Sequence, residues 1–218
     1  MNVINTNIEG PVVIEPRIFS DSRGYFFESF SQRDFEQNVR KVNFVQDNES
    51  MSSYGVMRGL HFQKPPYAQS KLVRCVRGAV LDVAVDIRRG SATYGKHVAC
   101  LLTGHDEEGQ RISRELFPEG MPWLECQPST YEGLQFFVPR GFAHGFAVLS
   151  KTAVFQYKCD NFYAPQADAG ISILDTSLGI DWKIPLENAI LSEKDKHHVC
   201  LEDFDSPFNI SDNLYSEI

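Results

Sequence analysis

Ala79-Val80-Leu81-Asp82-Val83-Ala84-Val85-Asp86-Ile87-Arg88 decides the fold class. Leu81, Val83, Val85 and Ile87 alternate with Val80, Asp82, Ala84 and Asp86, a period of two that makes a strand with unlike faces. Working outward, Lys71 to Arg77, Tyr94 to Leu102, Leu134 to Val138, Gly145 to Leu149 and Thr152 to Lys158 read as further short strands. The breaks between them carry Arg-Gly, Gly-Ser, Pro-Arg-Gly or Ser-Lys, which suit tight turns. Many short strands separated by turns predict an all-β sandwich or barrel of the jelly-roll kind. Ser31 to Lys41 is the one early helix, with Ser31 and Asp34 resembling a capping box and Phe35 and Val39 on one face. Thr103 to Thr130 breaks the rhythm: it is polar and irregular, with Pro118, Gly120, Pro122 and Pro128, and is longer than a hairpin needs. It also carries Leu116, Met121, Trp123 and Leu124, so it is expected to pack outside the barrel or on a partner, not to act as a lid.

Composition narrows the function. The 218 residues are 42% hydrophobic and 23% charged, near globular averages, and hold no repeat or low-complexity linker. A single domain over 1–218 is expected, with the acidic, turn-rich tail 197–218 peripheral. Lys plus Arg is 21 against 29 for Asp plus Glu, a net charge of −8 that disfavours nucleic acid as a partner. No apolar run approaches the ~20 residues of a membrane span, and Met1 to Pro16 lacks a secretory signal's basic start. Five scattered cysteines without a Cys-x-x-Cys pair suit reduced thiols in the cytoplasm.

Six histidines are the first candidates for chemistry. His61 lies in Arg58-Gly59-Leu60-His61-Phe62-Gln63, where it shares a strand face with Gly59 and Gln63, a pattern of either a hydrogen-bonded core histidine or a wet cavity wall. His144 follows the turn Pro139-Arg140-Gly141, where packing the turn is an equal reading. His197 and His198 read as solvated tail residues. A metal-dependent β-barrel enzyme would show His-x-His with a nearby carboxylate, and neither His61 nor His144 has that partner, so the site reads as metal-free. Arg23, Arg58, Lys71 and Arg74 are cations among strand-forming residues, costly to bury unless they face an anion such as a diphosphate. There is no Walker loop and no Gly-x-Gly-x-x-Gly, so side chains would have to hold the phosphates. Tyr157 ends the alternating run Ala153, Phe155, Tyr157, as the last of a core stripe or the first polar group of a cavity.

Longer stretches carry a resemblance. Phe19 to Glu28, Gln46 to Ser50 with Arg58 to Gln63, Lys71 to Cys75, Asp82 to Arg88 and Pro139 to Phe146 stand in an order similar to that of the dTDP-4-dehydrorhamnose 3,5-epimerase family. Tyr157-Lys158, Tyr163-Ala164-Pro165 and Leu191 to Asp195 continue it. The resemblance covers residues 3–103 and 131–196, and leaves 103–130 as an insertion of about 26 residues against the family pattern. It implies a cupin-type jelly roll with a few short peripheral helices, assembled as a homodimer whose sites borrow partner residues. It also implies a dTDP-linked 4-keto-6-deoxyhexose as substrate, with no cofactor. By motif, His61 matches the general base, Asp195 the carboxylate that orients it, Tyr157 the general acid, and Tyr163 the ring stacked on thymine. Lys71 is placed to offset enolate charge. Arg23, Glu28, Gln46, Asp47, Asn48, Arg58, Lys71, His144 and Lys194 fall on substrate-binding positions, and Asp168 where relatives can have Glu. Alternatives are an epimerase acting at C3 or C5 only on another nucleotide-linked 4-keto sugar, and a non-catalytic sugar-nucleotide binding module. Intact His61, Tyr157, Lys71 and Asp195 favour the enzyme.

Overall fold

The structure, a computed structural model, describes residues 1–215. It opens with β1 (Asn2–Asn5), β2 (Val12–Glu15), and the hairpin β3 (Phe19–Asp21) and β4 (Gly24–Phe26). After helix α1 (Gln32–Asn38) come β5 (Gln46–Ser53), β6 (Met57–Gln63), β7 (Lys71–Arg77), β8 (Ala79–Asp86) and β9 (Arg88–Arg89). The second half holds β10 (His97–Thr103), α2 (Glu107–Leu116), β11 (Gln135–Val138), β12 (Phe142–Val148), β13 (Thr152–Cys159), β14 (Asp168–Gly170) and β15 (Phe208–Asn209). A six-stranded sheet in the order β1-β2-β11-β7-β13-β5 faces a five-stranded one in the order β10-β8-β12-β6-β14. Phe155 of the first and Phe146 of the second stack at 4.3 Å between ring centroids, inside one apolar core. This is the all-β jelly-roll architecture that the alternating stretches predict.

Each predicted strand is present within a few residues of its expected span. The unlike faces of β8 have a specific meaning, because every residue of that strand is buried. Its Asp82 points into the barrel, toward His144. Its other face is covered from outside, where α2 packs on β8 and β10. The helix predicted from Ser31 also forms, shorter than expected, with Ser31 Oγ accepting from the Asp34 backbone N–H and Phe35 buried.

Two expectations need correction. The segment 103–130 is not irregular throughout, since α2 occupies its first half. Asp106 caps α2 by accepting from the Gly109 N–H, and Arg111 pairs with Glu115 one turn on. Ile112, Phe117, Met121 and Leu124 are buried in the main core, so the segment is a cover on the barrel's outer face. The tail is likewise no mere periphery. Phe208 is fully buried, β15 pairs with β9, and the Tyr215 hydroxyl meets Ser70 Oγ and the Arg140 N–H. The last three residues, 216–218, of the expected tail lie outside the described residues.

Candidate active site

Facing strands of the two sheets deliver the candidate residues to one cleft. From the five-stranded sheet, β6 presents His61, and register sets it directly opposite His144 of β12. Gly59 makes the approach of these two strands feasible: its φ is +131°, and a Cβ there would come within 2.5 Å of the Gly145 Cα. From the six-stranded sheet, Lys71, Tyr157, Asn48 and Gln46 come from β7, β13 and β5; Tyr157 is registered against Asn48 and Cys159 against both Lys71 and Gln46. Two adjoining cavities of about 420 and 370 Å³ share His61, Lys71, Tyr157 and Lys194 in their walls. The larger adds Arg58, His144 and Asp195; the smaller adds Gln46, Asn48, Tyr163 and Asp168.

At the centre, His61 Nε2 lies 2.5 Å from Asp195 Oδ1. Asp195 is buried in a short 3₁₀ turn, Asp195–His197, and its N–H donates to Ser192 Oγ. Burial alone would raise the Asp195 carboxyl, but its hydrogen bonds to His61 and Ser192 outweigh that and hold it below its ordinary value. The carboxylate therefore accepts the Nε2–H, which leaves the other ring nitrogen free to take a proton. Tyr157 has its phenol pushed up by burial, so it keeps its proton at neutral pH and can give it. Burial pulls the Lys71 ammonium down despite nearby Cys159, Asp82 and Asp168. Its Nζ stands 5.9 Å from the Tyr157 ring centroid.

A second histidine–carboxylate pair lies deeper. His144 Nε2 is 2.8 and 3.0 Å from the two oxygens of the fully buried Asp82. Burial drives both groups toward their neutral forms. Asp82 was visible in sequence only as the polar face of a strand, because its partner is 62 residues away. At the cleft mouth, Asp168 accepts from the Tyr163 hydroxyl at 3.0 Å and pairs with Lys194. Arg58 donates to Ser52 Oγ at 3.1 Å.

Three expected site residues are not gathered here in the single chain. Arg23 sits at the tip of the β3–β4 hairpin with its side chain 87% exposed, paired among the described residues with Asp21 alone. Glu28 lines a separate groove with Phe26 and Phe30. Asp47 points to the opposite face of β5 from Gln46 and Asn48 and pairs with Lys158. The expectation for His198 needs correction: it is half-buried, and its ring meets that of His61 edge-on at 5.5 Å. No periodicity could show this, since His198 comes from a turn and not from a strand.

The two facing sheets, with a histidine–carboxylate pair in the cleft between them, define a cupin-type barrel. The family model for dTDP-4-dehydrorhamnose 3,5-epimerase matches residues 5–116 and 113–203, the two matches meeting inside α2. A dTDP-4-dehydrorhamnose 3,5-epimerase of Shigella flexneri is 47% identical over 196 residues, 89% of this chain and 93% of that one. The crystal structure of the enzyme of that name from Elizabethkingia anophelis NUHP1 superimposes with a TM-score of 0.78 at 44% identity, covering 94% of this chain and 99% of the other. A dTDP-6-deoxy-D-glucose-3,5-epimerase from Legionella pneumophila Philadelphia 1, solved in complex with dTDP-4-keto-L-rhamnose, gives a TM-score of 0.78 at 41% identity and covers 94% of both chains. This chain belongs to the dTDP-4-dehydrorhamnose 3,5-epimerase family.

Proposed function

We propose that this chain is an isomerase that inverts C3 and C5 of dTDP-4-dehydro-6-deoxy-D-glucose to give dTDP-4-dehydro-L-rhamnose. The observation that carries this reading is the placement of His61 with Asp195 on one sheet's side of the cleft and of Tyr157 with Lys71 on the other's. Hydrogens at C3 and C5 are α to the C4 ketone, so each leaves as a proton once the enolate is stabilised. His61 takes that proton, and the Asp195 carboxylate holds the imidazolium that forms. Lys71 donates to the developing enolate oxygen; with its proton loosened by burial it is a better donor than a solvated lysine. Tyr157 returns a proton from the far wall, and return on the opposite face is what inverts the carbon. The chemistry requires no cofactor.

Gln46, Asn48, Arg58, His144, Tyr163, Asp168 and Lys194 are proposed to hold the dTDP sugar, Tyr163 by stacking its exposed ring on the base. Arg23, Glu28 and Asp47 fit this scheme in a homodimer, in which the projecting hairpin of one copy reaches the other's cleft. Phe19, Tyr25 and Phe26 on that hairpin are at least half exposed in the single chain, apolar area that a partner would cover. We place the enzyme in the cytoplasm, where its five unpaired cysteines stay reduced. Among the described residues no helix is long and apolar enough to cross a membrane.

Proton NMR of the substrate with enzyme in heavy water tests the assignment. Deuterium entering at both C3 and C5 as the L-sugar accumulates is the expected result. Exchange at one carbon only makes it a mono-epimerase, and tight dTDP binding without exchange makes it a binder.

A further inference from the structure

His198 has no part in the proposed reaction, yet the fold brings it against the base. Register pairs Gly170 of β14 with His61 of β6, and a Cβ on Gly170 would come within 2.4 Å of the His198 ring. A glycine there is what lets a tail turn lay a second imidazole beside the first. Among the described residues, Nδ1 of His198 is buried and has no hydrogen-bond partner, an unusual state for a ring nitrogen. One donor atom each from His61, Asp195 and His198 all fall within 4.8 Å of one another.

We propose that His61, Asp195 and His198 form a three-ligand site for a zinc-type divalent metal ion, and that its occupation switches the enzyme off. Two imidazoles and one carboxylate are a donor set that zinc takes, with bonds of about 2.0–2.2 Å. Donors around such an ion stand roughly 3–3.5 Å apart, so small side-chain rotations contract the observed group onto it. His61 and Asp195 line the 420 Å³ cavity, which leaves the fourth position for water. Of the nearby cations, Lys194 is neutralised by Asp168, whereas Lys71 and Arg58 line the cavity and oppose the ion. The site is therefore weaker than a structural zinc site and is filled reversibly. Binding changes no oxidation state. The metal takes lone pairs of His61 Nε2, the His198 imidazole and the carboxylate, and the proton displaced from Nε2 passes through solvent to His61 Nδ1, the nitrogen that would otherwise accept the substrate proton. A metallated His61 has no lone pair for a substrate proton, so turnover stops until the ion is removed.

Cobalt(II), which reports its ligands by visible absorption, tests the site without reference to turnover. Titrating the whole protein should give a d–d spectrum that saturates at one equivalent and is displaced by zinc. His198→Ala and His198→Gln, the second keeping the bulk, should each bind cobalt at least ~10-fold more weakly while their circular dichroism matches the parent. His197→Ala, at the exposed neighbour, should bind as the parent does. In the epimerase assay zinc should inhibit the parent reversibly to EDTA, and both His198 variants should need at least ~10-fold more zinc. No spectrum up to millimolar cobalt, equal affinity in the His198 variants, or loss of binding in His197→Ala would each overturn the proposal. A protein that binds cobalt through His198 but turns over no dTDP sugar would uphold the site and refute the reaction.

Discussion

In the proposed mechanism His61 acts as the base, its tautomer fixed by a carboxylate 134 residues away. His61→Asn keeps a similar shape but cannot take the proton, so kcat should fall about 10² to 10⁴-fold with dTDP affinity little changed. Near-parental turnover, read by NMR, would remove His61 from the role. Asp195 also ties the site to pH. Its carboxyl is held below the ordinary 3.8, so its share of stability is complete above that value and lost as pH falls through the lower folded value. Asp195→Asn lacks this share. The stability gap between parent and variant, from urea unfolding, should be constant above about pH 4 and shrink toward pH 2. A gap that widens on acidification would contradict the assigned ion state. At this scale the sequence was informative where the side chain stood on a strand: alternation set His61 apart from Leu60 and Phe62. It was silent on Asp82 with His144 and on His198 with His61, because those contacts join segments that only the closed barrel brings together.

The strands were legible because burial on a sheet imposes a period of two that local residues must obey. Helix α2 was not, for a physical reason: Ile112 is its one buried apolar side chain, so it carries no apolar stripe. Its caps and charges were the available signal, with Asp106 ahead of Glu107 and Glu108 and the Arg111–Glu115 pair behind. The segment that follows stabilises the barrel from outside by burying Phe117, Met121 and Leu124. Met121 is fully buried, so Met121→Ala should cost about 2–5 kcal/mol in urea unfolding while KM is unchanged. A variant of parental stability with a raised KM would make the segment a lid. The start of 103–130, ahead of α2, reaches the hairpin. His105 stacks on Tyr25 at 3.9 Å between centroids, tilts against Phe27 at 5.3 Å, and faces Glu132 at 3.6 Å.

For the whole molecule, the proposed inversion needs base and acid on facing walls, which two sheets can supply and a single sheet, presenting both from one side, cannot. The overall architecture followed from strand count and turn spacing, whereas assembly does not follow from alternation at all. The exposed hairpin, with Arg23 at its tip, fits the proposed dimer. Sedimentation at assay concentration should give twice the 24.7 kDa chain mass, and Arg23→Ala should raise KM with little change in kcat. A fully active monomer would refute that assembly. The most direct test of the two-walled mechanism is Tyr157→Phe in heavy water, following deuterium uptake and sugar configuration in one NMR time course. With His61 intact and the far-wall acid gone, deuterium should still enter at C3 and C5 while formation of the L-sugar falls far more. Equal loss of exchange and inversion would mean that Tyr157 only packs or binds, and the account of inversion by opposed groups would be wrong.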